Sequence, residues 1–203
     1  MIDNLITLDC EQGTEEWLVA RLGIPTATGI KNIVNSSGQK SSGWVSYLAE
    51  LVAESIEGVT EGFKSQYMER GNELEPLARM AYEFETGNDV TQVGGVYLNE
   101  KKELMVSPDG LILSHQKGLE IKCPKMKTHI KYILSGGVPS EYIIQVQAAM
   151  WVTGYKSWDF VSYCPEYKKQ VLYLYTATRD EKLMKAFDEY IPQFLTSLKA
   201  LKG

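Results

Sequence analysis

The segment SPDGLILSHQKGLEIKC, residues 107–123, joins a Pro-Asp-Gly turn to two short runs with the composition of β-strands. Side chains alternate between the two faces of a strand, so Glu120 and Lys122 point to one side while Leu119 and Ile121 point to the other. Asp109 lies at the turn before the first run, where pairing of the two strands can bring it beside Glu120. The segment therefore predicts a hairpin on which two carboxylates and one ammonium group converge.

This group of side chains suits metal-assisted hydrolysis of a phosphodiester. Mg²⁺ prefers oxygen ligands and usually keeps several waters, so one or two carboxylates and a substrate phosphate make a normal site. Lys122, flanked by carboxylates, should stay protonated; we expect it to orient the attacking water and to stabilise the charge that develops at phosphorus. From the residues alone, the alternative is an ordinary turn followed by a solvated pair of surface charges.

The remaining sequence predicts helices packed against a mixed sheet. Helical apolar spacing covers residues 44–57, 66–86 and 141–153, with Ile56 and Leu77 among the core-facing side chains. Short helices are expected after Thr14 and after Thr26, and the capping box Thr178-x-x-Glu181 opens a last helix. Strands are expected as neighbours within residues 90–123, and at 158–163 and 170–176. This order predicts an α/β (mixed α+β) fold with a central mixed sheet flanked by helices, in a single domain over residues 1–203.

Composition argues against several classes of protein. The chain has 203 residues and a formal net charge of −5, so bulk positive charge does not hold it on nucleic acid. Three cysteines without a C-x-x-C motif, and only two histidines, argue against a zinc or iron–sulfur site. The sequence has no run of 18 apolar residues, which argues against membrane spanning. Its N-terminus lacks a basic segment followed by an apolar one, which argues against secretion. We therefore expect a cytoplasmic protein whose contacts with nucleic acid are local.

Local positive charge follows the second strand of the hairpin. Residues 117–131 contain five lysines and one acid, Glu120. Among these lysines, Lys125 and Lys127 come directly after the predicted carboxylate strand and are well placed to follow a phosphate backbone. A solvated lysine-rich loop is the alternative interpretation.

Several blocks of the sequence resemble a known family. The pattern Pro108-Asp109 followed by Glu120-x-Lys122 resembles the PD-(D/E)xK nuclease superfamily. Five ordered blocks are similar to the phage lambda exonuclease and YqaJ-type viral recombinase family within it, and the similarity extends from about Gln12 to the last helix. The blocks are Trp17 with Arg21-Leu22-Gly23-Ile24 and Thr26-Ala27-Thr28, Gly71-x-x-x-Glu75, Ser107 to Leu111, Leu119 to Pro124, and Tyr142 to Thr153.

The resemblance implies a restriction-endonuclease-like core and an activity. The expected enzyme is a Mg²⁺-dependent exonuclease, with one or two ions and with Mn²⁺ as a substitute. It degrades one strand of linear double-stranded DNA from a 5′-phosphorylated end, in the 5′-to-3′ direction, and leaves a 3′ single strand for phage-type recombination. The resemblance also implies a ring-shaped homotrimer, a single-strand annealing protein as partner, and the cytoplasm of a bacterial host cell as location.

The resemblance further assigns roles to individual residues. Asp109, Glu120 and the backbone carbonyl of Ile121 match the metal ligands, Lys122 matches the catalytic lysine, and Glu75 matches an acid that supports the metal site. For 5′-phosphate and DNA binding, the matching or neighbouring positions are Arg21, Thr28 (serine in the lambda enzyme), Ser107, Tyr142, Gln145, Lys125 and Lys127. Without the resemblance, the preferred interpretation of Glu75 is a helix N-terminal acid that interacts with the helix dipole. Arg21 is then an alternative partner of a helix C-terminus, and Tyr142 is more often a core aromatic than a catalytic group.

Two alternative functions remain open. One is a related PD-(D/E)xK endonuclease or junction nuclease, against which the retained Arg21 argues. The other is a non-catalytic DNA-binding module on the same fold, which the intact set of Asp109, Glu120 and Lys122 disfavours. Cleavage of covalently closed DNA separates the first alternative from an exonuclease, and divalent-metal dependence of cleavage separates the second.

Overall fold

A computed structural model of the chain describes residues 4–58 and 66–203. Over these two segments, no helix combines the length and the apolar character needed to cross a bilayer. The α-helices are α1 (Glu15–Arg21), α2 (Trp44–Glu57), α3 (Gln66–Thr86), α4 (Met126–Ser135), α5 (Ser140–Thr153) and α6 (Glu181–Lys202). The strands are β1 (Ile6–Leu8), β2 (Gly95–Tyr97), β3 (Met105–Val106), β4 (Gly110–Ile112), β5 (Lys117–Lys122), β6 (Ser157–Tyr163) and β7 (Leu172–Thr178).

The strands of residues 4–58 and 66–203 form two sheets. Strands β1, β2 and β3 make a small antiparallel sheet, whereas β4, β5, β6 and β7 make a mixed sheet in that order. Strands β5 and β6 are parallel, and the chain between them forms α4 and α5, which supply the long crossover that a parallel pair requires. The mixed α/β class predicted from the sequence is confirmed.

The predicted cluster of neighbouring strands is divided between the two sheets. Strand β3 pairs with β2, while β4 pairs with β5, so the chain passes from one sheet to the other through residues 107–109. Pro108 lies in this passage, and because proline has no N–H donor it cannot continue a ladder on both sides. The passage places Asp109 at the boundary between the sheets.

Helix α3 covers one face of the mixed sheet. Ala78 and Tyr82 of α3 are buried against Leu119, Ile121 and Val161. The alternation predicted for β5 is therefore confirmed, because Glu120 and Lys122 must point to the opposite face, toward α4 and α5. The larger core lies between α2, α5, α6 and the small sheet, with Trp44 and Tyr47 packed on Phe194 at ring-centroid distances of 5.0 and 5.5 Å.

The boundaries of α2 and α3 match the predicted ranges, but their apolar stripes do not match fully. Ile56 is 79% exposed and Leu77 is 44% exposed, so neither side chain faces the core as expected. Ile56 lies in the last turn of α2, whereas Leu77 lies in the middle of α3, next to the buried Ala78. The spacing of apolar residues therefore located these helices correctly without fixing how far each one is buried.

Two local predictions about helices, and one alternative interpretation, were wrong or incomplete. Thr178 does not cap the last helix, because it pairs with Ser157 as the final residue of β7; Asp180 caps α6 instead, accepting from the N–H groups of Lys182 and Leu183. The helix expected after Thr26 is a single 3₁₀ turn, Ile30–Asn32. The lysine-rich stretch after β5 is not a loop, since α4 begins at Met126 and buries one of its faces.

Close packing of β5 on β6 explains why residue 118 is glycine. A Cβ atom at Gly118 would overlap the six-membered ring of Trp158, which is fully buried on the neighbouring strand. We expect Gly118→Ala to lower the free energy of unfolding by about 1–3 kcal/mol, because overpacking a filled core forces neighbours to shift. Denaturant unfolding monitored by circular dichroism measures the change.

A matched glycine provides the control for this prediction. Gly71 lies inside α3 with open space where a Cβ would be, so Gly71→Ala should be neutral or stabilising. Equal stability of Gly118→Ala and the unsubstituted chain would contradict the packing argument.

Candidate active site

Asp109 is held where the β4–β5 hairpin opens. Gly110 pairs with Leu119, and the Asp109 N–H donates to the Leu119 carbonyl at 3.1 Å. The Asp109 carboxylate crosses to β5, where Oδ2 accepts the N–H of Ile121 at 2.6 Å. Asp109 therefore lies beside the part of β5 that β4 does not cover, next to Glu120 and Lys122.

Glu120 and Lys122 form an ion pair on one face of β5. Glu120 is only 2% exposed, and its Oε1 lies 2.5 Å from Lys122 Nζ. Gln145, on α5, donates to the same oxygen at 2.7 Å. These contacts engage Oε1 of Glu120 and Oδ2 of Asp109. The structure thus brings together Asp109, Glu120, Lys122 and Gln145.

Burial and mutual repulsion shape the electrostatics of this group. Burial raises the pKa of Glu120 to about 7, with the nearby Asp109 charge adding to the rise and the Lys122 ammonium opposing it. Burial likewise raises the pKa of Asp109. For Lys122, burial lowers the pKa, but the carboxylates of Glu120 and Asp109 outweigh burial, and the net pKa is raised. Lys122 is therefore a cation at neutral pH.

Glu75 approaches the same site from α3. Its carboxylate pairs with Arg79, one helical turn later, at 2.6 Å. Burial and the charge of Asp109 raise the pKa of Glu75 to about 7, against the opposing effect of Arg79. Glu75 lies in the middle of α3, so the interpretation as a helix N-terminal acid is wrong. Its charge is coupled to the carboxylates on β5 and at the turn.

A cleft of about 610 Å³ opens over these groups. Tyr142 lines it, with its ring stacked on Phe160 and its centroid 5.1 Å from Lys122 Nζ. Tyr142 is thus neither a buried core aromatic nor distant from the site. Lys125 and Lys127 also line the cleft and are exposed at the start of α4, where a polyanion could reach them.

Arg21 and Thr28 line a second depression, of about 440 Å³. The Arg21 guanidinium lies 4.1 Å from the Trp17 ring centroid and donates to Ser107 Oγ at 3.0 Å. Burial lowers the pKa of Arg21. The predicted DNA-binding residues are therefore divided between two depressions, and Ser107, two residues before Asp109, lies where the two approach each other.

The chemistry of the donor set fits Mg²⁺. Asp109 and Glu120 offer hard oxygen ligands, and the Ile121 carbonyl follows Glu120 directly on the same strand. The described residues contain no group of three or more His, Cys, Asp or Glu side chains placed to hold one ion. Mg²⁺ commonly binds through one or two carboxylates and keeps several waters. The site therefore fits a centre with few protein ligands, with Glu75 as a supporting acid.

Sequence reasoning missed two arginines beside the site. Arg79 was not assigned, although its i,i+4 spacing from Glu75 places the two on one helical face. Arg70 donates to the carbonyls of Cys123 and Pro124 at 3.2 and 3.4 Å and pairs with Glu166 at 2.9 Å. Local sequence gives no signal for Arg70, because Glu166 is 96 positions away.

The raised carboxyl pKa values predict how stability varies with pH without metal. Because the folded-state pKa of Glu75 and of Glu120 rises from 4.5 to about 7, their stabilising contribution is complete below pH 4.5 and is lost as pH rises through 7. We expect the melting temperature without metal to decrease as the pH rises from about 5.5 to about 8. Scanning calorimetry with EDTA measures it.

Two controls accompany this pH series. Added Mg²⁺ should recover the melting temperature mainly at the higher pH, because it binds the ionised carboxylates. Glu120→Gln should flatten the pH dependence. A melting temperature that rises over the same interval without metal would contradict the assignment of these two carboxyls.

A protein-family model matches about two thirds of the chain, and a known protein is similar to part of it. Residues 16–156 match the model of the YqaJ-like viral recombinase domain. An uncharacterized Escherichia coli K12 protein, ExoD, is 38% identical over 71 residues, which cover 34% of this chain and 82% of ExoD.

Solved structures are similar over most of the chain. The crystal structure of an alkaline exonuclease from Laribacter hongkongensis has a TM-score of 0.81 at 37% identity, covering 92% of this chain and 93% of that one. The same enzyme in complex with dAMP also has a TM-score of 0.81, at 36% identity and the same coverage. A phage-related exonuclease from Haemophilus somnus 129PT has a TM-score of 0.63 at 15% identity, covering 88% and 93%, which shows the shared fold alone.

Proposed function

The chain belongs to the YqaJ-like viral recombinase family, and from that premise we propose that it is a Mg²⁺-dependent exonuclease of linear double-stranded DNA. The proposed enzyme is a single nuclease domain over residues 1–203. It removes one strand from a 5′-phosphorylated end in the 5′-to-3′ direction and accepts Mn²⁺ in place of Mg²⁺. One observation carries the proposal: Asp109 and Lys122 line a cleft with Lys125 and Lys127, and the buried Glu120 pairs with Lys122 beside it.

The relatives support the nuclease part of this proposal. The Laribacter hongkongensis protein is an alkaline exonuclease and was crystallised with dAMP. A nucleoside 5′-monophosphate is the product expected when water attacks phosphorus and the P–O3′ bond breaks. The remaining strand then carries a new 5′-phosphate, so each cleavage regenerates the end that the next cycle needs.

The proposed chemistry assigns a task to each residue of the cleft. When bound by Asp109, Glu120 and the Ile121 carbonyl, Mg²⁺ would lower the pKa of a bound water and neutralise charge on the scissile phosphate. Lys122, kept cationic by Glu120, is placed to donate a hydrogen bond to the attacking water and to stabilise the charge that develops on the pentacoordinate phosphate. Gln145 donates a hydrogen bond to Glu120, and the Tyr142 ring lies beside the Lys122 ammonium group.

Arg21 is proposed to bind the terminal 5′-phosphate. A planar guanidinium bonds two phosphate oxygens at once, and stacking on Trp17 together with the Ser107 hydrogen bond fixes its plane. Thr28 lines the same depression and offers a hydroxyl. The proposed path of the strand then runs from this depression past Ser107 to the carboxylates.

We expect Arg21→Ala to slow digestion from a 5′-phosphorylated end by about tenfold or more, because a charge-assisted hydrogen bond contributes about 1.5–3 kcal/mol. Digestion from a 5′-hydroxyl end should change little. Lys31→Ala, in the same depression, is the control and should affect both ends alike. Equal slowing of both ends by Arg21→Ala would remove the assignment.

The proposal extends to assembly and to a partner. Because the sequence resembles the lambda exonuclease family, we propose a ring-shaped homotrimer that threads the DNA and delivers the 3′ strand to a single-strand annealing protein in the bacterial cytoplasm. Analytical ultracentrifugation tests the trimer: the expected particle has three times the 22.8 kDa mass of the chain. A monomer at all concentrations would refute this part alone.

One experiment tests the activity and its polarity together. A linear duplex carries a 5′-phosphate on one strand and a 5′-hydroxyl on the other, with a different label on each strand. A covalently closed circle is added to the same reaction, which contains either Mg²⁺ or EDTA. The expected result is Mg²⁺-dependent loss of the phosphorylated strand from its 5′ end, with mononucleotide products and an intact circle.

The other outcomes identify the competing functions. Nicking or linearisation of the circle would replace the proposal by an endonuclease. Binding of the duplex without cleavage at any divalent metal concentration would replace it by a non-catalytic DNA-binding module. Loss of label from the 3′ end would keep the nuclease and reverse its direction.

A further inference from the structure

Arg79 is the most fully engaged side chain next to the carboxylates. It lies on α3, one turn after Glu75, and only 11% of its side chain is exposed. Its Nη2 donates to Glu75 Oε1 at 2.6 Å, and its Nε donates to the backbone carbonyl of Asp109 at 3.3 Å. One guanidinium therefore contacts both the helix-borne acid and the chain segment that carries a metal-binding carboxylate.

Gln92 completes the surroundings of Arg79. With its amide oxygen turned toward the guanidinium, Gln92 accepts from both Nη1 and Nη2 at 3.1 Å. This orientation is the consistent one, because the opposite orientation would point an NH₂ group at a guanidinium that has only donors. Arg79 thus joins α3, the segment before β2 and the turn between the two sheets.

Together with the hydrogen bond from the Asp109 N–H to the Leu119 carbonyl, these contacts hold Asp109 at three points. Arg79 holds its carbonyl, while the Ile121 N–H holds its carboxylate. The turn at Asp109 is the passage between the two sheets, where few ladder hydrogen bonds restrain the chain. Without Arg79, the turn loses its link to α3, and Glu75 loses the donor that sets its orientation.

We propose that Arg79 is a positioning residue of the metal centre, which holds Asp109 and Glu75 in the geometry that binds the divalent cation. The inference rests on the proposed function and extends it to a residue outside the carboxylates and the lysine. Only arginine meets the requirement, because its planar fork serves three acceptors in fixed directions, whereas a lysine ammonium is a point charge on a flexible stem.

The test uses Arg79→Lys and Arg79→Met in the full chain, with Mn²⁺ as the probe. Titration calorimetry measures Mn²⁺ affinity without DNA, and single-turnover cleavage gives the metal concentration for half-maximal rate. Both variants should bind Mn²⁺ about 10–100-fold more weakly, the usual cost of losing a partner that orients a ligand. The cleavage rate at saturating metal should recover toward that of the unsubstituted chain.

A second arginine controls for loss of stability. Arg179 donates to the carbonyls of Tyr155 and Met150 at 2.9 and 2.8 Å, away from the carboxylates. Arg179→Met should lower the melting temperature without changing the Mn²⁺ affinity of the folded protein. Since Arg79→Met also removes a buried arginine, a difference between the two variants in metal affinity separates positioning from stability.

The outcomes separate this inference from the proposed function. If the unsubstituted chain neither binds Mn²⁺ nor cleaves DNA, the proposed function itself fails. If it does both and Arg79→Met keeps the same Mn²⁺ affinity, the positioning role is overturned. Tighter binding by Arg79→Met would also overturn it, because Arg79 would then act only as a cation that repels the metal, and so would full rescue by Arg79→Lys.

Discussion

Lys122→Met is expected to abolish cleavage while DNA binding persists. The ammonium group pairs with Glu120 at 2.5 Å, faces the cleft, and has a raised pKa because the carboxylates of Glu120 and Asp109 outweigh its burial. Removing one preorganised donor to developing charge costs about 10²–10³-fold in rate. Binding should survive, because affinity for duplex DNA comes from many phosphate contacts rather than from one.

The measurement is single-turnover cleavage at saturating DNA, with affinity determined separately by fluorescence anisotropy. Lys127→Met is the matched control: Lys127 is exposed in the same cleft, and its loss should weaken binding and lower the salt dependence without abolishing the chemical step. Turnover by Lys122→Met at the rate of the unsubstituted chain would falsify the role assigned to the lysine.

Asp109→Asn should remove metal binding and cleavage without unfolding the chain. The amide keeps nearly the same shape and an oxygen that still accepts the Ile121 N–H, so the turn is preserved. The substitution removes one of the two carboxylate charges that are proposed to bind the metal. We expect cleavage to fall by more than about 100-fold, since even partners behind the ligands cost about 10–100-fold in metal affinity or activity.

Calorimetric titration with Mn²⁺ and cleavage at a series of Mg²⁺ concentrations measure this effect. Asp159→Asn is the control, because Asp159 is a buried acid on β6 that is engaged by Tyr82, Lys117 and Thr176. That change should cost stability and leave metal binding in place. Normal Mn²⁺ affinity in Asp109→Asn would remove Asp109 from the metal centre.

The local residue pattern was sufficient to predict the hairpin that carries the groups of the proposed chemistry. The alternation of Glu120 and Lys122 with Leu119 and Ile121 depends only on the period of a strand, and the structure has it. The ranges of α2 and α3 could also be predicted from the sequence, because apolar spacing and a terminal glycine lie within a few residues of each other. The ordered blocks that resemble the nuclease family add the residues from Arg21 to Gln145.

The local pattern led to a wrong prediction where a residue could belong to either of two structures. Thr178 has the sequence of a capping residue, yet pairing with Ser157 keeps it in β7, and Asp180 caps α6. Strands β3 and β4 read as neighbours, yet they belong to different sheets. For Thr178, the ladder with β6 outweighed the local preference, because a ladder satisfies several backbone groups at once. Strands β3 and β4 each pair with the other strand next to them in the chain, β2 and β5.

Residue types and strand alternation were enough to identify the groups proposed to do the chemistry, which are Asp109, Glu120 and Lys122, and the ordered blocks indicated the family of the chain. How those groups are held depends on contacts that form only in the folded chain. Arg79 joins α3, Gln92 and the Asp109 turn, and Arg21 lies in a depression apart from the carboxylates. Residue type and strand period act over a few positions, whereas the contacts that orient a side chain come from segments tens of residues away, which meet only when the whole core has packed.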